Sequence, residues 1–213
     1  MRLLYFTVSI PVLFMSCILL FLNPRLRHEY QLVKFAIAIQ PQAEFEKLLT
    51  YLLVLAEDHR YKAHFGFDPI AIGRAIFRFV LSSRIEGAST IEQQLVRTIT
   101  RKYEITLQRK IEEITISSMI SINNTKEDIA HTYLSLAYFG SNVIGYKSAS
   151  KTILMDNELN DCKLKHGAAI ISLLKRPKPT QKNELWSKRH KERTSYILAK
   201  YNAPTSRSNR TLS

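Results

Sequence analysis

Glu86-Gly87-Ala88-Ser89-Thr90-Ile91-Glu92-Gln93-Gln94-Leu95-Val96-Arg97 reads as a tight turn that runs straight into a helix. Small residues occupy 87–90, and Ser89-x-x-Glu92 has the form of a capping box. Ile91, Leu95 and Ile99 then stack at four-residue spacing, which predicts a helix over 89–102. The first amides of such a helix point outward without partners, and with the helix dipole they attract an anion. Gln94, Arg97 and Arg101 fall at i, i+3 and i+7, a polar, basic face opposite the apolar stripe. An ordinary capped surface helix accounts for the cap and the stripe. It does not account for two glutamines set beside arginines.

Working outward, helical periodicity continues in both directions. Phe45–Ala56 is apolar nearly all round, as in a buried helix, and ends in Glu57-Asp58-His59-Arg60-Tyr61-Lys62-Ala63-His64-Phe65-Gly66. A carboxylate delivered against apolar walls suits general acid–base work, although a plain polar helix end has the same look. Further helices are predicted over 69–81 (Ile72, Ile76, Phe79 and Val80 on one side), 106–122 (Ile111, Ile114 and Ser118), 126–138, 167–174 and 186–201. On the second of these Arg109 and Glu113 sit one turn apart, a spacing that usually means a surface salt bridge. Strands are expected only as short pieces, within 25–44. The domain is therefore mainly α.

The chain has 213 residues, 46% of them hydrophobic, with 6 Gly and 7 Pro, which excludes disordered and collagen-like classes. Its net charge of +13 calls for an anionic partner: nucleic acid, a membrane surface or a phosphorylated substrate. No aromatic-basic strand platform or helix-turn-helix supports nucleic acid. Leu3–Leu22 carries no charge and is long enough to cross a bilayer, so residues 1–24 are expected to be an uncleaved anchor. Residues 25–44 then form a juxtamembrane segment, 45–201 the working domain, and 202–213 a disordered basic tail. Arg25 and Arg27 beyond the span outnumber Arg2 before it, so charge alone leaves orientation poorly determined. Only Cys162 lies outside the span, which rules out an internal disulfide in the domain.

Together, in this order and spacing, the segments resemble glycosyltransferase family 51, the peptidoglycan polymerase domain of class A penicillin-binding proteins and of monofunctional transglycosylases. Its Glu-Asp-x-x-Phe-x-x-His-x-Gly motif is similar to Glu57-Asp58…Tyr61…His64…Gly66. Its Gly-Gly-Ser-Thr-Ile-Thr-Gln-Gln-Leu-x-Lys-Asn resembles Gly87–Thr98, and its Arg-Lys-x-x-Glu is matched by Arg109, Lys110 and Glu113. Lys126, Ile129, Tyr133, Leu134 and Phe139-Gly140 resemble a fourth stretch, and Ala168–Pro177 a fifth. The sequence departs from the pattern at Ala88, Glu92 (usually Thr), Arg97 (usually Lys), Thr98, Ser121 (usually acidic) and Ser135. The N-terminal span, with no transpeptidase domain in the sequence, resembles the monofunctional branch.

The resemblance implies a lysozyme-like helical glycosyltransferase domain with a small membrane-proximal lobe behind one transmembrane helix. It implies an inverting enzyme of the plasma (inner) membrane, single-pass, its domain facing the periplasm or cell exterior. The substrates would be the undecaprenyl-pyrophosphate disaccharide lipid II and the growing glycan strand, and cell-wall synthesis proteins are implied as further partners. Glu57 would be the general base. Glu113 would stand on the pyrophosphate side, where it is also the candidate ligand for a divalent cation, Mg or Mn. Ser89, Thr90, Gln94, Arg97, Arg109 and Lys110 would bind the pyrophosphate-linked substrate, with Asp58, Tyr61 and His64 as supports. Two other readings stay open: a silent scaffold that binds lipid-linked glycan, and a muramidase-like hydrolase. Against the latter, the basic residues around the site favour a pyrophosphate leaving group over a neutral glycan.

Overall fold

The computed structural model describes residues 2–40, 47–82, 87–155, 163–181 and 183–203. Along the chain run α1 (Arg2–Leu22), α2 (Pro24–Ala38), α3 (Lys47–Glu57), α4 (Pro69–Ser82), α5 (Ile91–Thr100), α6 (Leu107–Asn123) and α7 (Lys126–Leu136). There follow β1 (Tyr138–Gly140), β2 (Val143–Ile144), α8 (Tyr146–Met155), α9 (Lys163–Lys175) and α10 (Glu184–Asn202). The mainly α expectation holds. The chain divides into two compact units that interleave in sequence, residues 1–41 with 60–133 and residues 42–59 with 134–213.

The first unit is built on α6, against which α1, α2 and α5 pack. The buried side of α6 carries Glu113, Ile116, Ser117, Ser118 and Ile120, whereas Ile111, placed on the core stripe by periodicity, is exposed. Counting apolar residues misplaced this face because much of what α6 buries is polar. The outcome on α4 is similar: Ala71 is buried, but Ile76, Phe77, Val80 and Leu81 face outward. Asp68 caps the start of α4, accepting from the Ala71 N–H at 3.0 Å.

The α1 helix is long and apolar enough to cross a membrane. It also packs against α6 and α2, burying a stripe of Tyr5, Ser9, Ser16 and Leu20. Its last carbonyls are satisfied by Arg27, which donates to the Leu20 oxygen at 3.0 Å and the Phe21 oxygen at 2.7 Å. The strands expected within 25–44 are replaced by α2. Asn23 caps it and Pro24 opens it, and Leu26, Tyr30, Val33 and Ile37 are buried at helical spacing. Residues 41–46 and 204–213, which include most of the expected disordered tail, lie outside the described residues.

In the second unit α9 is the centre, with α3, α8, α10 and β1 packed on it. Its interior is Leu49, Leu52 and Leu53 of α3, Ala168–Leu173 of α9 and Ile197 of α10. The helix expected over 126–138 forms as α7 to Leu136, and Tyr138 instead opens the β1–β2 hairpin. Gly140 closes β1 at φ +149°, where an added Cβ would stand 2.5 Å from the Lys178 backbone. That close approach lets Lys178 donate to the Phe139 oxygen at 2.9 Å and accept from the Ser141 N–H at 2.8 Å.

Candidate active site

In the first unit, Thr90 is the N-cap of α5, accepting from the Gln93 N–H; the capping role expected of Ser89 belongs to its neighbour. Thr90 Oγ1 also donates to the Gly66 carbonyl at 2.8 Å, and Gln93 Nε2 donates to the same oxygen at 3.3 Å. Gly66 has φ +83°, and a Cβ there would collide with the backbone of Ser117 and Ser118. Only glycine lets this segment lie on α6 while offering its carbonyl to α5.

Freed from capping, Ser89 faces the cations. Arg97 donates to Ser89 Oγ at 3.2 Å and Lys110 does so at 3.3 Å. Both also reach Glu113: Arg97 Nη2 lies 2.7 Å from Oε1, while Arg109 Nη1 and Lys110 Nζ lie 3.0 and 3.1 Å from Oε2. The Arg109–Glu113 pair is therefore no surface ornament. The Glu113 side chain is 3% exposed, whereas those of Arg97 and Lys110 are each 27% exposed. Three cations over one buried carboxylate leave a net positive rim that can still meet an anionic ligand.

Lys110 feels the cluster most. Desolvation pushes its ammonium below the ordinary lysine range, Glu113 pulls back, and Arg97 and Arg109 add to the downward push. Gln93 supplies a further acceptor, its Oε1 lying 2.5 Å from Lys110 Nζ. Sequence reading missed Gln93 and chose Gln94 instead. Gln94 accepts from the Tyr133 hydroxyl at 2.6 Å. The register was the available signal, since Gln93 and not Gln94 lies one turn after Ser89.

Both Glu113 oxygens are already taken by guanidinium and ammonium groups, a donor set that does not fit a divalent cation at this carboxylate. Beside it, Lys102 bridges Glu29 of α2 at 2.7 Å and Glu112 of α6 at 2.6 Å. Burial alone would lower the Lys102 ammonium, but its bonds to the two carboxylates outweigh that and hold it above the usual range.

Glu57 and Asp58 belong to the second unit. Glu57 is the last residue of α3 and is ion-paired with Arg193 of α10, Nη2 to Oε1, at 2.8 Å. Arg193 also donates to the Ala56 carbonyl at 3.1 Å, and Lys200 to the Leu55 carbonyl at 3.2 Å. Two cations thus close the C-terminus of α3 and hold its final carboxylate. Where apolar walls were expected around Glu57, its carboxylate meets a guanidinium, a contact that 136 residues of separation hid from the sequence reading. Asp58 is buried, its N–H bonded to the Val54 carbonyl at 2.9 Å. The other supports, Tyr61 and His64, are buried in the first unit with their rings edge to face at 6.1 Å.

The chain is similar in sequence to known proteins. The family model described as Transglycosylase matches residues 32–202. Penicillin-binding protein 1F of Bacillus subtilis is 32% identical over 160 residues, 75% of this chain and 22% of that protein. Penicillin-binding protein 1A of Haemophilus influenzae is 34% identical over 160 residues, covering 74% and 18%. Penicillin-binding protein 1A of Vibrio cholerae is 38% identical over 135 residues, covering 63% and 16%. The chain spans about a fifth of the length of these relatives.

Proposed function

Because the chain belongs to the transglycosylase family, we propose that it is a membrane-anchored peptidoglycan glycosyltransferase that extends glycan strands from undecaprenyl-pyrophosphate disaccharides. The observation that carries the reading is Glu113 of α6 buried beneath Arg97 of α5 and Arg109 and Lys110 of α6, with Ser89 before α5 bonded to two of these cations. A net positive rim beside a helix N-terminus is a receptor for a pyrophosphate leaving group. A neutral glycan leaving group, as in a hydrolase, has no use for it.

In the reaction, an acceptor hydroxyl attacks C1 of the donor sugar from the face opposite the pyrophosphate, with inversion. The new C1–O bond forms as the bond from C1 to the phosphate oxygen breaks, and both electrons leave with undecaprenyl pyrophosphate. Glu57 takes the hydroxyl proton, with Arg193 orienting its carboxylate. Arg97, Arg109 and Lys110 neutralise the charge that develops on the departing diphosphate, and Ser89 and Gln93 hold two of these cations in place. No step requires a divalent cation at Glu113. The α1 helix provides the anchor, with the domain on the outer face of the membrane, where polymer is made.

The test is labelled lipid-linked disaccharide incubated with the full chain in detergent. Wild type is expected to form polymer. Glu57→Gln is expected to lose at least about 1000-fold in turnover, roughly 4 kcal/mol of barrier, while keeping its melting temperature. Full activity in Glu57→Gln would remove Glu57 as base. Substrate binding without polymer in wild type would turn the reading into a glycan-binding scaffold.

A further inference from the structure

The proposed mechanism leaves several buried charges unused, Asp58, Asp68 and Glu92 among them. Glu92, in the first turn of α5, is 0% exposed. Its Oε1 accepts from Lys126 Nζ at the start of α7, and the Ser121 hydroxyl of α6 lies 3.5 Å from the same oxygen. Lys126 is gripped on its other sides by Tyr61. Its ammonium stands 4.4 Å above the Tyr61 ring, and its carbonyl accepts from the Tyr61 hydroxyl at 2.9 Å. One ion pair thus joins α5, α6, α7 and the segment carrying His64 and Gly66.

A buried pair of this kind is a poor source of stability, because desolvation of both ions offsets most of their attraction and an apolar pair of equal volume serves as well. What a charge pair supplies and an apolar pair does not is direction. The residue after Glu92 is Gln93, whose side chain spans from the Gly66 carbonyl to Lys110. Ser89, just before the same turn, bonds Arg97 and Lys110. Rotation of this turn about the α5 axis would carry Gln93 and Ser89 away from the cations together.

We infer that Glu92 is a positioning residue: through Lys126 it sets the rotation of the first turn of α5, and so places Lys110 and Arg97 to meet the diphosphate. The inference rests on the pyrophosphate site proposed above. Ser121 adds a consequence. Since its hydroxyl lies against the Glu92 oxygen that Lys126 holds, a carboxylate at 121 can replace the one at 92.

Three full-length variants test this in detergent, each followed by melting temperature, kcat, KM and affinity for inorganic pyrophosphate. Glu92→Gln alone strands Lys126 and is expected to melt early. Glu92→Gln with Lys126→Met removes both charges at similar volume. It should melt within a few degrees of wild type yet lose about tenfold in kcat and in pyrophosphate affinity, with KM within twofold. Glu92→Thr with Ser121→Glu should return both quantities to within about threefold of wild type. Wild-type kcat and pyrophosphate affinity in the neutral pair would overturn the inference, as would no recovery in a folded relocated-carboxylate variant. Absence of polymer from wild type would count against the glycosyltransferase reading alone, because pyrophosphate affinity still reports on positioning.

Discussion

Lys110 is the residue where burial, charge and chemistry meet. Its ammonium is held below the ordinary lysine range by desolvation first and by Arg97 and Arg109 after it. If Lys110 binds the diphosphate as proposed, that binding is complete at low pH and lost as pH rises through the lowered pKa, before an ordinary lysine would titrate. The expected consequence is an alkaline limb in the kcat/KM profile that starts below the normal lysine range. Lys110→Arg should abolish that limb, since a guanidinium stays charged throughout. The pH dependence of polymer formation checks this, and a limb unchanged in the arginine variant assigns it to another group. At this scale the sequence was legible for charge and opaque for rotation. Spacing put Arg109 and Glu113 on one helix face, and the family resemblance is what named them with Arg97 and Lys110 as site residues. Thr90 and Gln93 were misplaced because choosing between neighbours requires the cap, and the cap lies at Thr90. The departures at 92 and 121 read as two unrelated substitutions. In space the Ser121 hydroxyl lies against the Glu92 carboxylate that pairs with Lys126, so the two departures meet at one place between α6 and α5.

At the scale of elements, the end of α3 decides how Glu57 is presented. The last carbonyls of α3 and its terminal carboxylate are held by Arg193 and Lys200 of α10, so α10 acts as a splint on the proposed base. Arg193→Met keeps the methylene packing and removes the fork. Activity is expected to fall about tenfold, about 1.4 kcal/mol of barrier. Stability should drop by roughly 1 kcal/mol or less, because the pair is partly open to solvent. Steady-state kinetics beside thermal melting separates the two effects, and equal activity in wild type and variant would reduce Arg193 to a helix cap. Helix α10 itself was plain from its sequence; its partner was not, because a contact over 136 residues leaves no local trace. The opposite failure occurred at α2. Its capping Asn23, opening Pro24 and buried Leu26, Tyr30, Val33 and Ile37 were all local signals of a helix. They were passed over because the segment adjoins a membrane span, and the context outweighed the period.

For the whole molecule, two forces can hold the chain at a membrane, and they respond differently to salt. One is charge: setting aside Arg2, the residues beyond the span still carry +12. The other is apolar surface, where α1 exposes Leu3, Phe14, Phe21 and Leu22, and α4 exposes Ile76, Phe77, Val80 and Leu81. At 1 M salt the screening length falls to about 3 Å, so attraction between the basic residues and anionic head groups is removed. Transfer of apolar side chains, at about 25 cal/mol per Å², is not weakened by salt. The full chain is therefore expected to remain in the membrane fraction in 1 M salt and to leave it only in detergent. Deleting residues 2–22 should shift most of the chain into the salt-released fraction. The same deletion takes Tyr5 from Asp68, to which it donates at 3.1 Å, so the truncated chain should also melt lower. Tyr5→Phe separates the two roles of α1, lowering the melting temperature by the loss of one buried hydrogen bond while leaving fractionation unchanged. Release of the intact chain by salt alone would mean that charge, and not α1, keeps it at the membrane.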